Sequence, residues 1–193
     1  QRQMCIRDRA VEVALAAVPD FDGDVLVLSG DCPLADEATL SAFIAEHRST
    51  GARATLMTAV VDDPTGYGRI IRDPDGTVAR IVEQKDATAV EAAVAEINAG
   101  MYVFQASVLR SELARVGTDN AQNEKYLTDV IGLLHAAGER VVAWVVDDVT
   151  VTFGVNDRAQ LAEVGRLLNA RTVRRWQLEG ATIQDPATTW IDV

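Results

Sequence analysis

Short apolar runs alternate with longer stretches of helical periodicity along most of the chain, and this alternation predicts an α/β sheet. Val11, Leu15 and Val18 share one helical face, and Pro19 with the Asp/Gly cluster to Asp24 ends that helix. The run 24–28 (DVLVL) is apolar almost throughout, as expected of a strand buried on both faces in a parallel sheet. A helix from Asp36 through Ala45 to Arg48 closes at Gly51, and 54–61 (ATLMTAVV) reads as the next strand. Segments 68–71 and 77–82 flank Asp73-Pro74-Asp75-Gly76, with Pro and Gly where a hairpin turn favours them. Residues 87–96, rich in Ala, Glu and Val, predict a helix. A strand follows over 97–104, then a helix over 107–116 opened by Ser107. The helix predicted over 127–137 ends at Gly138, which suits a left-handed cap. The run 140–146 (RVVAWVV) is strongly β, and 156–178 is the longest helical pattern, with Leu161, Val164, Leu168 and Val173 expected on its buried side. Because of the inserted hairpin the sheet should be mixed, not purely parallel.

The two ends differ from the rest. Residues 1–9 (QRQMCIRDR) carry no apolar period and no initiating Met, and are expected to be a leader foreign to the domain. Residues 10–179 then form the main domain. Residues 180–193 are short, β-prone and turn-rich, like a linker and the opening of a different structure.

Composition narrows the functional classes. With 193 residues, 48% apolar and 24% charged, the chain can bury a core without disulfides or a structural metal. Cys5 and Cys32 make no disulfide framework and match no zinc spacing, which suits a reducing cytoplasm. No apolar run approaches membrane-spanning length, so no membrane partner is expected. A formal net charge of −11 argues against nucleic-acid polymers, which require a basic face. It leaves a nucleotide substrate open, because a divalent cation can supply the missing positive charge.

In open α/β sheets ligands sit beyond the carboxyl ends of strands. Gly30 and Asp31 stand at such an end: the glycine lets backbone approach a ligand, and the carboxylate offers a hard oxygen to Mg²⁺. Taken alone, Asp31 reads more readily as the cap of a turn before the next helix. The two glycines around Tyr67 (Thr65 to Ile70, TGYGRI) open the hairpin; backbone beside Gly68 could meet a sugar or phosphate oxygen, or simply form a tight turn. Glu83 and Asn98 offer a carboxylate and a carboxamide suited to sugar hydroxyls and an N-acetyl group, with a solvated charge cluster and a strand-end Asn as the alternative. Lys85 reads as a surface ion-pair partner, with a catalytic role as the lesser alternative. Before the long helix, Asn156 and Asp157 are each a natural helix cap, or Asn156 gives its oxygen to a metal while Asp157 caps. His47 and His135 read as surface or packing residues, and Trp144, Trp176 and Trp190 as packing aromatics.

The order of the motifs carries more than any one of them. SGDCPL (29–34), TGYGRI (65–70), IVEQKDAT (81–88), EINAGMY (96–102), NAQNEKYLTDVI (120–131) and GVNDRAQL (154–161) together resemble the bifunctional bacterial N-acetylglucosamine-1-phosphate uridylyltransferases/glucosamine-1-phosphate acetyltransferases. The resemblance runs from Ala10 to Val193, and the closing DPATTWIDV is similar to that family's passage into a left-handed parallel β-helix. It implies a doubly wound, mostly parallel but mixed α/β nucleotidyltransferase sheet, followed by the first rung of the β-helix. Asp31 and Asn156 match the family's Mg²⁺ ligands, through which they would act in catalysis. Ser29, Gly30 and Asp31 match the nucleotide-lining segment, although many relatives have Tyr at the position of Ser29. Gly68, Glu83 and Asn98 match residues that hold the N-acetylglucosamine moiety. The family's Gly-rich loop of the LAAGxGTRM kind, its following lysine, and the Gln and Gly-Thr pair that recognise uracil have no counterpart here. The expectation is therefore a domain without its first βαβ portion, inactive by itself.

For the intact family member the resemblance implies transfer of the uridylyl group of UTP to N-acetylglucosamine 1-phosphate. It also implies acetylation of glucosamine 1-phosphate from acetyl-CoA in the β-helix half, cytoplasmic cell-wall precursor synthesis, and a homotrimer. Two rivals stand beside it: an enzyme that activates glucose 1-phosphate with UTP or dTTP, and a silent nucleotidyltransferase-like binding module.

Overall fold

The computed structural model describes residues 5–117 and 125–192, with side chains from residue 9 onward. The chain divides into two compact units. One comprises the chain up to Ser29 together with Glu37–Val149, the other Gly30–Asp36 with Thr150–Val193.

The first unit is a six-stranded sheet with helices. Its strands are β1 (Asp24–Val27), β2 (Ala54–Val60), β3 (Arg69–Arg72), β4 (Val78–Val82), β5 (Glu96–Gln105) and β6 (Val141–Val145). They lie in the order β4-β3-β5-β2-β6, with β1 also paired to β5. Strands β1, β2, β3 and β6 run one way, and β4 and β5 the other. The α/β class and the mixed sheet are as the sequence predicts, but among the described residues parallel pairing is confined to β2 with β6. The long β5 lies in mid-sheet against the common direction, so every ladder it makes is antiparallel. Strand β2, between β5 and β6, is buried along all but its last residue, which explains its unbroken apolar run.

Helices α1 (Cys5–Ala17), α2 (Glu37–Thr50), α3 (Ala89–Ala92), α4 (Ala106–Leu113) and α5 (Asp129–Ala136) complete this unit. Val11 and Leu15 of α1, Leu56, Tyr102 and Phe104 of the sheet, and Leu109, Val130 and Ile131 of α4 and α5 share one core. Phe43 of α2 stacks on Trp144 of β6 with ring centroids 5.6 Å apart.

Several boundaries depart from expectation. Helix α1 starts at Cys5, inside the stretch read as aperiodic. No Gly or Pro interrupts 5–17, so extending the helix by another turn costs little. Residues 1–4 of that stretch lie outside the described residues. Val18 falls beyond the helix and is exposed. The helix predicted over 87–96 shrinks to the single turn α3, and Glu96 joins β5 instead. There its carboxylate accepts from Thr58 Oγ1 at 2.9 Å and from Arg72 Nε at 2.8 Å, and this sheet pairing overrides the helical propensity of the Ala/Glu run. Helix α4 is not opened by Ser107: Gln105 stands at its N-cap without a side-chain bond, and the Ala106 N–H donates to the Gly23 carbonyl at 2.9 Å.

The second unit consists of residues from a 3₁₀ turn (Val149–Thr152), α6 (Arg158–Leu178) and the flanking segments. Arg171 of α6 donates to the Leu34 carbonyl at 2.8 Å and to Thr150 Oγ1 at 2.7 Å, fastening 30–36 beside the helix. Val164 and Val173 are buried as expected, whereas Leu161 and Leu168 are exposed: the buried stripe runs through 164, 172 and 173 and is narrower than the apolar positions. Residues 181–192 form turns, with no strand among them. Asn169 pins this segment, donating to the Thr189 carbonyl at 2.8 Å and accepting from the Ile191 N–H at 2.9 Å. The rung expected here is thus a turn-rich strap. A solenoid strand takes its ladder partners from neighbouring rungs, and none of the described residues supplies one. Trp190, expected to pack, is largely exposed.

Candidate active site

In the first unit Gly68, Glu83 and Asn98 come together, and the sheet register is the reason. Arg69 pairs with Val82 on one side and Ile97 on the other, so the residue before β3 lies between the residue after β4 and the third residue of β5. The Asn98 N–H donates to the Gly68 carbonyl at 2.9 Å. A Cβ placed on Gly68 would meet Ile81 Cγ2 at 3.1 Å, Glu83 Oε1 at 3.5 Å and Asn98 Cβ at 3.6 Å. This glycine therefore keeps open a space walled by a carboxylate and a carboxamide.

Asn98 is aimed by a bulge. Register slips between Leu56↔Tyr102 and Thr58↔Asn98, and Gly100 occupies the left-handed region at φ 73°. The Asn98 Oδ1 accepts from the Gly100 N–H at 3.1 Å, and its Nδ2 donates to the Tyr102 hydroxyl at 2.7 Å. One amide hydrogen and one lone pair remain for a ligand. Ser29 does not offer a free hydroxyl either, for it donates to the Gly100 carbonyl at 3.1 Å. The bulge thus claims part of the hydrogen-bonding capacity of two predicted substrate-binding residues.

Two further side chains belong to this group and were not singled out from the sequence. Thr128 is the N-cap of α5, yet it makes no capping bond; its hydroxyl donates to Glu83 Oε1 at 3.3 Å. Tyr126 and Thr128, with Glu83, Asp86 and Asp129, line a cavity of about 340 Å³. Burial and the neighbouring Asp86 charge both push the Asp129 carboxyl up. The block NAQNEKYLTDVI holds these residues, although its beginning, 120–124, lies outside the described residues.

In the second unit Asp31 and Asn156 converge on Gly154. A Cβ on that glycine would lie 3.6 Å from Asp31 Oδ2 and 3.8 Å from Asn156 Nδ2. The Val155 N–H donates to the Asp31 carbonyl at 2.9 Å and holds the two segments in register. Asp157 is the N-cap of α6 and accepts from the Gln160 N–H at 2.8 Å, so the Asn156 carboxamide is not the cap. No backbone N–H among the described residues donates to the Asp31 carboxylate, which receives only the Cys32 thiol at 3.9 Å, so it caps no turn. Both side chains are exposed. A carboxylate and a carboxamide oxygen are hard donors that fit Mg²⁺, the amide needing only the rotamer that presents Oδ1. No group of three or more His, Cys, Asp or Glu able to hold a metal exists among the described residues, so two protein ligands would leave most of an octahedron to water and phosphate. Gly30 faces open space.

The histidines stand apart from both groups. His47 is buried, with Nδ1 at 2.8 Å from Thr55 Oγ1 and Nε2 at 3.6 Å from Asp24. His135 pairs with Asp73 at 3.0 Å. No helix among the described residues is long and apolar enough to cross a membrane.

Residues 8–193 match the nucleotidyl transferase family model. The chain belongs to that family. It is 59% identical over 186 residues to the bifunctional protein GlmU of Leifsonia xyli subsp. xyli, and 55% identical over 186 residues to that of Clavibacter sepedonicus. Each alignment takes in 96% of this chain and 38% of the relative, so the chain spans well under half the length of the curated relatives it matches. Among solved structures, a crystal structure of apo UDP-glucose pyrophosphorylase aligns with a TM-score of 0.55 at 16% identity, over 75% of this chain and 53% of that one. At that identity the likeness shows the shared fold alone.

Proposed function

We propose that this chain serves a sugar-1-phosphate nucleotidyltransferase that passes the uridylyl group of UTP to N-acetylglucosamine 1-phosphate, releasing pyrophosphate. The observation that carries the reading is the convergence of Gly68, Glu83 and Asn98 on an open space next to the β5 bulge. Glu83, fixed by the Thr128 hydroxyl, accepts from sugar hydroxyls. The spare amide hydrogen and lone pair of Asn98 serve the acetamido group. Gly68 admits the sugar against backbone. The attacking phosphate oxygen is already an anion at neutral pH, so no residue need act as general base, and the protein's task is alignment and charge neutralisation. Asp31 and Asn156 would hold Mg²⁺, which when bound offsets phosphate charge in a chain whose own net charge is −11. In a protein as long as the bifunctional relatives, a further half would acetylate glucosamine 1-phosphate from acetyl-CoA within a cytoplasmic homotrimer.

The test is pyrophosphate release by the product of the whole gene, read from its natural start codon. UTP with N-acetylglucosamine 1-phosphate should exceed UTP or dTTP with glucose 1-phosphate by about tenfold or more in kcat/KM, as expected when a site's buried polar groups lose a partner. Equal or better use of glucose 1-phosphate would replace the substrate assignment. No release with any pair would make the domain a binding module.

A further inference from the structure

Arg69 is 1% exposed, among the most deeply buried of the large side chains. Its guanidinium nevertheless bonds no carboxylate among the described residues. Its partners are neutral oxygens: the Tyr67 carbonyl, Gln84 Oε1 at 2.7 Å and the Ala92 carbonyl at 3.3 Å. Its pull on the Asp63 carboxyl is minor beside the hydrogen bonds from Thr65. A buried cation without a counter-ion is costly to keep, and an apolar residue of similar volume would serve packing better. What the guanidinium does that an apolar residue cannot is fasten three segments at once through its rigid fork.

Two of those segments carry the sugar-binding group. Tyr67 lies between Gly66 and Gly68, a loop with unusual backbone freedom, in which Gly66 sits at φ 90°. Gln84 follows Glu83, and its Oε1 accepts both from Arg69 and from the Gly66 N–H at 3.1 Å. Arg69 and Gln84 thus lock the loop that bears Gly68 to the turn that bears Glu83. We propose that Arg69 is a positioning residue for sugar-phosphate binding, acting through Gln84 to hold Gly68 and Glu83 at their working separation. The proposal rests on the function proposed above. It explains a buried charge by the preorganisation it confers, since a site held in its binding geometry spends less of the interaction on ordering loops.

Removing Arg69 risks the fold, so Gln84 is the lever: it is half-buried and outside the core. Gln84→Ala deletes the shared acceptor, and Gln84→Glu keeps it. With Gln84→Ala, KM for N-acetylglucosamine 1-phosphate should rise about tenfold, while kcat and KM for UTP change less than about twofold. Amide exchange at Gly66 in the ligand-free chain should quicken by a similar factor, and Gln84→Glu should restore both readouts. An unchanged sugar-phosphate KM, a parallel rise in both KM values, or unaltered exchange at Gly66 would each overturn the proposal. A wild-type enzyme indifferent to N-acetylglucosamine 1-phosphate would sink the proposed function instead, leaving exchange at Gly66 to decide whether the loop is held this way.

Discussion

Gly68→Ala separates binding from folding, because the added methyl meets both the core and the candidate site. On the core side it lies 3.1 Å from Ile81 Cγ2, close enough that Ile81 must yield a few tenths of an ångström. Overpacking of this kind costs on the order of 1 kcal/mol at its mild end. Gly68 is not in the left-handed region, so the substitution also restricts the unfolded chain, which returns about 0.4–1 kcal/mol. The two effects nearly cancel, and the melting temperature should shift by no more than about 2–4 °C for a chain of this size. On the site side the same methyl stands 3.5 Å from Glu83 Oε1 and 3.6 Å from Asn98 Cβ, in the space a sugar oxygen would enter. Losing one hydrogen bond to a charged acceptor is worth about 1.5–3 kcal/mol, which is roughly a tenfold to hundredfold loss of affinity. Calorimetric titration with N-acetylglucosamine 1-phosphate, paired with thermal melts, reads both numbers. A Kd within about twofold of wild type would refute the placement of the sugar against Gly68. A melting temperature lowered by more than about 8 °C would show that the glycine is kept for packing.

Two other perturbations are informative. If Asp31 holds Mg²⁺ as proposed, Asp31→Asn should lower turnover by about two orders of magnitude or more. It should leave the melting temperature almost unmoved, since the carboxylate is exposed and among the described residues accepts a hydrogen bond from the Cys32 thiol alone; parallel losses of activity and stability would instead mark it as structural. Burial holds His47 below its ordinary pKa of 6.5, opposed in part by Asp24 and reinforced by Arg48, with Thr55 its remaining polar neighbour. The fold therefore favours the neutral ring: its contribution to stability is complete above about pH 6.5 and is lost as pH falls through the lower folded value. Urea denaturation at pH 7.5 and 5.5 should show acid weakening of the wild type and a flatter response in His47→Gln. Identical slopes would dismiss the assignment.

The fold was legible where local chemistry and tertiary pairing agree. The turn at Asp73–Gly76 fixes a hairpin from short-range signals alone, and it forms as predicted, with Gly76 at φ 88°. The DVLVL run is a strand, but not one buried on both faces in a parallel ladder: β1 pairs antiparallel with β5, is only partly buried up to Val27, and leaves Leu28 exposed. The direction of β5 is different in kind. Nothing within 96–105 says that it will insert between β2 and β3 and reverse the ladders around it, because pairing partners are chosen by residues distant in the chain. The same gap produced the wrong helix over 87–96. Ala and Glu favour a helix by small increments, and three hydrogen bonds to Glu96 from Thr58 and Arg72 on other strands outweigh them. The exposed Leu161 and Leu168 make a similar point, since periodicity identifies a face without saying how much of it will be covered.

For the candidate site the division falls between residue type and residue commitment. Asp31, Glu83, Asn98 and Asn156 read from sequence as hard or polar groups at element ends; Asp31, Glu83 and Asn156 lie in the segments between elements, and Asn98 lies inside β5, laddered to Thr58. How much bonding capacity each has left depends on neighbours that sequence does not reveal. Asp157 takes the cap of α6, which leaves the Asn156 carboxamide available, and no backbone N–H among the described residues donates to the Asp31 carboxylate. Ser29 and Asn98, by contrast, are partly spent on the bulge at Gly100. That bulge is visible only as a slip in register, and Thr128 joins Glu83 only because it forgoes the capping bond its position invites. Arg69 is the extreme case. In sequence it is an ordinary basic residue after a glycine, which any reading of charge patterns would place on the surface. In the fold it is the buried guanidinium that links Tyr67 to Gln84. A charge kept inside with no carboxylate bonded to it among the described residues demands a reason, and the loop it fastens is the one whose Gly68 stands between Glu83 and Asn98.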